Sequence, residues 1–89
     1  MSTGEEDLTR LALRVKQTHE DELLSKANVL GVGVGLRERG GRRGEQVALV
    51  VLVRRKLPAV ELAPKDVIPR EIDGVPVDVQ EVGEVRAGV

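Results

Sequence analysis

Val29-Leu30-Gly31-Val32-Gly33-Val34-Gly35-Leu36 and, after a polar interval, Val47-Ala48-Leu49-Val50-Val51-Leu52-Val53 decide how this chain folds. Two short apolar runs joined by a glycine-containing connection read as one long β-hairpin over residues 28–56. Successive strand side chains point to opposite faces, so Leu30, Val32, Val34 and Leu36 line one side of the first arm. Gly31, Gly33 and Gly35 leave its other side nearly bare. Glycine inside a strand marks close approach by something else: a loop, another domain or a second subunit. The second arm is apolar on both faces, as expected of a strand covered from both sides. Residues 37–45 between the arms carry three glycines and four arginines and read as a mobile polar tip.

Upstream, residues 5–27 predict a helix. Leu8, Leu11, Ala12, Val15, His19 and Leu23 recur at three- and four-residue steps and form one stripe, with Leu13 and Leu24 off it. Thr3 and Glu6 fit a capping box, Lys26 falls in the last turn, and Asn28 suits the left-handed residue that ends a helix. Downstream, Pro58, Pro64 and Pro69 make residues 57–71 an irregular crossover, because each proline fixes its φ and removes a donor. Its aliphatic residues are expected to rest on the glycine-bared face. Residues 72–82 supply a tight turn at Asp73-Gly74 and a last strand, with Val75, Val77 and Val79 inward and Asp78 and Gln80 outward. Pro76 marks an edge or a position outside the hydrogen-bond ladder. Residues 83–89 are expected to fray.

The expected fold class is therefore α+β. One N-terminal amphipathic helix packs on a small three- to four-stranded, mostly antiparallel sheet built around the hairpin, in a single domain over residues 1–89. Whether the last strand runs parallel to a hairpin arm is left open. The chain is 40% hydrophobic and 33% charged, a globular balance, yet holds no aromatic residue. A core of Val, Leu, Ile and Ala buries little area per side chain, which favours self-association or attachment to a larger partner. The acidic start and the short apolar runs point to no export signal and no spanning helix, so a cytoplasmic protein is expected.

The residue types that carry chemistry are sparse. With no cysteine there is no disulfide and no thiolate site. His19 is the single histidine, and its place in the apolar stripe reads as a packed or boundary residue with no second metal ligand. Ser2 and Ser25 have no arranged base. The Gly31, Gly33, Gly35 spacing matches neither phosphate-binding motif, so no cofactor is expected. Arg37, Arg39, Arg42 and Arg43 form a basic tip, and Gly41-Arg42-Arg43-Gly44 matches the Gly-x-x-Gly clamp of KH domains, but between strands instead of helices. A second basic group, Arg54, Arg55 and Lys56, is placed at the far end of the second arm, about 23 Å away along a straight strand. Without aromatic platforms, and with a formal net charge of -1, a solvated loop is the preferred reading over a nucleic-acid site.

The segment Asn28–Gly35, the close of the valine-rich arm in Arg55-Lys56-Leu57-Pro58, and above all Ile72-Asp73-Gly74-Val75-Pro76-Val77-Asp78-Val79 carry a family resemblance. Residues 28 to about 85 resemble a non-catalytic segment that precedes the trypsin-like domain in a group of bacterial serine proteases and related plant proteins. The chain contains no Gly-Asp-Ser-Gly, and His19 lies outside the similar region. The resemblance thus implies a free-standing accessory module and no peptidase, with a protease domain as one possible protein partner. Three functions follow as expectations. The first is a non-catalytic interaction or assembly module, homo-oligomeric, using Gly31, Gly33, Gly35 and the sheet edge, and sensitive to a bulky residue at Gly33. The second is a small nucleic-acid-binding protein using Arg37, Arg39, Arg42 and Arg43. The third is a regulator of a separately encoded protease.

Overall fold

Periodicities of 3.6 and 2 in the apolar residues become one helix on one face of a four-stranded sheet. The computed structural model describes residues 4–40 and 42–83, without the side chains of Glu5, Glu6 and Arg43. The expected capping box at Thr3 and Glu6 and the fraying of residues 84–89 lie outside the described residues. Helix α1 spans Gly4–Leu24, and strands β1 (Val29–Arg39), β2 (Arg42–Val53), β3 (Glu71–Ile72) and β4 (Val75–Glu81) follow. The strand order is β1-β2-β4-β3. β1 and β2 are antiparallel, as are β3 and β4, while the central β2–β4 pair is parallel, so the sheet is mixed.

The helix presents its predicted stripe to this sheet. Ala12, Val15 and Leu23 are buried against Val47, Leu49, Val51, Val53, Val75 and Val77, with Leu8, Leu11, Val32, Val34 and Val79 at the margin. Leu13 and Leu24 are exposed, consistent with their position off the stripe. The helix ends three residues before the expected boundary at residue 27. Ser25 turns its hydroxyl onto the Glu22 carbonyl at 2.6 Å, and Lys26 falls beyond the last helical turn. Such local side-chain bonding competes with helix continuation. Asn28 then takes φ 76°, the left-handed conformation read from the sequence. Its Oδ1 accepts from the Arg55 backbone N–H at 3.2 Å and its Nδ2 donates to the Arg55 carbonyl, clamping the base of the hairpin.

The hairpin is longer and tighter than the sequence suggests. Glu38 pairs with Arg43 and Arg39 with Arg42, so most of residues 37–45 is strand and not loop. Register shifts fall between Val29 and Gly31 and between Leu36 and Glu38. The first makes Leu30 an extra residue of β1, with no counterpart in β2, and leaves it exposed. The second bends the ribbon, as bulges do. Beyond this bend the tip folds over the face of the sheet opposite α1. There the Glu38 backbone N–H donates to Asp78 Oδ2 at 2.9 Å, and Glu38 and Gly40 share a cleft with Lys56, Gln80 and Val82. The folded tip therefore lies closer to the Lys56 end of β2 than a straight hairpin would place it.

Residues 54–70 correct another expectation. They do not cover the glycine face but dock at the C-terminal end of α1, on the core side. Lys26 Nζ donates to the Lys65 carbonyl at 2.5 Å, the Ala27 N–H donates to Asp66 Oδ1 at 2.9 Å, and Ile68 packs on the core cluster. The segment contains two 3-10 turns, Ala59–Glu61 and Pro64–Asp66, as its prolines dictate. It brings the chain back so that β4 runs parallel to β2, a pairing that requires a crossover. The β2–β4 ladder starts at Val77, one residue past Pro76, so the missing proline N–H costs no ladder bond. Asp73 (φ 50°) and Gly74 (φ 84°) make the tight turn between β3 and β4. Among the described residues, no helix is long and apolar enough to cross a membrane.

Candidate interaction surface

Alternation along three strands assembles the surface opposite α1. Gly31 lies beside Leu52, Gly33 beside Val50 and Gly35 beside Ala48, while Val50 and Leu52 neighbour Asp78 and Gln80 of β4. The predicted Gly31, Gly33 and Gly35 do come together, forming one wall of a shallow groove of about 460 Å³. Val32, Val34 and Leu36 of β1 line it as well, and Val50, Leu52, Gln80 and Glu38 complete it. A Cβ on Gly31 would sit 3.5 Å from Leu52 Cδ1, and one on Gly35 would sit 3.4 Å from Val50 Cγ2. The missing side chains thus make room for β2 residues to lean across. At Gly33 no atom lies within 4 Å, so the middle of the strip is open.

One end of this face is closed. Ala48 is fully buried, and Asp78, 9% exposed, is held by the folded tip. Asp78 Oδ2 accepts from the Glu38 N–H and from Gln80 Nε2, both at 2.9 Å. A buried carboxylate needs such partners, and here they come from β1 and from its own strand. The sequence places Asp78 outward, and it does lie opposite the helix, but covered by the tip instead of in solvent.

The basic candidates lie elsewhere. Arg37 is half-buried and its Nη1 donates to Gln46 Oε1 at 3.1 Å. Arg37, Arg39 and Arg42 border a separate hollow of about 210 Å³ with Gly44, Glu45 and Gln46. The side chain of Arg43 is outside the described residues. The structure therefore separates the glycine strip from the arginine tip that the sequence reading combined in one candidate surface. Sequence reasoning missed Val50, Leu52 and Gln80 as parts of the groove. Their signal was the alternation of β2 and β4, legible only once the strand neighbours were known.

His19 takes the boundary position read from its stripe. Its Nε2 lies 2.9 Å from Asp73 Oδ2 at the β3–β4 turn, and its Nδ1 lies 3.9 Å from Glu22 Oε2. The first contact pins the helix to the turn, while the second lies within α1. Among the described residues, no group of three His, Cys, Asp or Glu side chains could hold a metal ion. Compared with protein-family models and with curated proteins, the chain matches none.

Proposed function

We propose that this chain is a non-catalytic assembly module that associates with copies of itself through β1. The observation that carries the reading is the state of that strand. Its glycine strip is open at Gly33, and its outer edge has no strand partner among the described residues. Apolar groove walls and a free edge are a template for another chain. The aromatic-free core supports the same reading, because a small aliphatic core leaves little stability in hand. His19, the sole imidazole, is held against Asp73 and lines none of the glycine groove.

Light scattering across a concentration series, at low and at high salt, tests the proposal. An apolar, backbone-mediated association gives a mass above the monomer that persists in high salt, since screening weakens only charge pairs. A monomer at every concentration overturns it.

A further inference from the structure

The strand that carries the glycine strip reads the same in both directions. Leu30-Gly31-Val32-Gly33-Val34-Gly35-Leu36 is a palindrome centred on Gly33. It forms the end strand of the sheet, and its register with β2 runs unshifted from Gly31 to Leu36. Natural edge strands are guarded against pairing by prolines, charges, bulges or covering segments. Residues 29–36 contain neither a proline nor a charge, and the bulges at Leu30 and beyond Leu36 flank an unbroken stretch from Gly31 to Leu36. The opposite edge is guarded: the two-residue β3 covers Val75 and Pro76 of β4, and the Val77 N–H is taken by the Arg70 carbonyl at 2.9 Å.

We propose that β1 pairs antiparallel with β1 of a second copy, about a two-fold axis through Gly33, joining the two sheets edge to edge. This rests on the self-association reading and specifies its geometry. In this register Gly33 faces Gly33 of the partner, Gly31 faces Gly35, Val32 faces Val34 and Leu30 faces Leu36. Paired residues of neighbouring strands share a face, so the bare strips adjoin and both helices stay on one side. Leu36 and the bulged Leu30 at the other end of this register, 38% and 48% exposed in the single chain, come beside each other across the seam in two symmetric apolar contacts. Neighbouring registers that preserve the faces do worse. An axis at Val34 sets Leu30 against Glu38, and one at Val32 sets Leu36 against Asn28. A two-fold interface must be self-complementary, which a palindromic strand satisfies by its sequence.

The chain has no cysteine, so single introduced thiols report the register directly. Under oxidation Gly33→Cys forms a covalent dimer, and the site has room because nothing lies within 4 Å of the new Cβ. Leu30→Cys and Leu36→Cys each remain uncrosslinked alone, yet cross-link when mixed, because each thiol then meets the other. A second arm uses charge. The Leu30→Lys/Leu36→Lys variant halves the mass seen by light scattering, whereas Leu30→Glu/Leu36→Lys restores it, with circular dichroism showing that both fold. If the chain dimerises but Leu30→Cys alone cross-links as readily as the mixture, or the two charge variants behave alike, the register is wrong while self-association stands. If the unmodified chain is a monomer throughout, both fail. Should Gly33→Cys not fold, the Leu30/Leu36 mixture decides.

Discussion

The two faces of the sheet are built by the same residues in alternation, and they end in opposite states. On the face under α1, Leu49 and Val51 of β2 are fully buried. One residue along in each case, Val50 and Leu52 point to the other face and stay half-exposed beside Gly31 and Gly33. The side chains are of one kind, so hydrophobicity alone does not explain the difference. Cover does: the helix closes one face, and the folded hairpin tip closes only the Ala48–Asp78 end of the other. A strand that is apolar on both sides thus announces two covers, of which this chain provides one and a fraction.

The contrast breaks most directly through β2. Leu49→Ala should cost about 2–5 kcal/mol of stability, the range for a fully buried leucine, whereas half-exposed Leu52→Ala should cost under about 1 kcal/mol. Equal shifts in chemical denaturation would mean that the glycine face is as tightly packed as the helical one. Next in size, Asp78→Ala should cost about 1–3 kcal/mol by leaving the Glu38 N–H without its acceptor. Faster hydrogen exchange at the Glu38 amide would show the tip lifting off; unchanged exchange would show that the carboxylate does not hold it.

Two glycines sharpen the contrast between open and closed positions. A Cβ at Gly44 would lie 3.1 Å from the Arg37 carbonyl oxygen, so Gly44→Ala should destabilise by about 1 kcal/mol through crowding. Gly33→Val meets open space and replaces a poor strand residue by a good one, so it should stabilise the single chain by about 0.5–1 kcal/mol. Thermal melts that move both variants in the same direction would contradict these placements. The smallest effect is expected at the helix–turn contact. Asp73 is largely solvent-accessible and His19 sits at the boundary, so screening weakens the contact and His19→Ala should cost no more than about 1 kcal/mol. A larger loss would make the helix a more integral part of the β3–β4 turn than the geometry indicates.

The two edges repeat the lesson of the faces. β4 is shielded by β3 and by the Arg70 carbonyl, while β1 presents a regular, uncharged backbone over 31–36. This asymmetry of the two edges is the ground on which the proposed pairing through β1 rests.

Much of this architecture was legible in the residues because it depends on local chemistry. The helical stripe follows from three- and four-residue spacing, Asn28 and Asp73-Gly74 adopt the positive φ that their side chains tolerate, and the valine alternation assigns each strand its faces. The stretch 54–70 was misplaced because its aliphatic residues show that it packs but not against what. The tip was misread because arginine and glycine suggest a loop, whereas paired strand runs to Arg39 and Arg42 and folds back over the sheet. The burial of outward-facing Asp78 is not legible in the sequence, since its backbone partner, Glu38, is 40 residues away.

What the sequence determined by itself is therefore the helix, the two hairpin arms and the last strand, with the faces of their regular stretches, because backbone sterics and side-chain periodicity act over a few residues. What only the tertiary structure decided is the parallel pairing of β2 with β4, the docking of the crossover on the helix end, and the uncovered middle of the glycine strip. Those outcomes depend on contacts between segments far apart in the chain, where many partners have the same apolar character and only packing geometry selects among them.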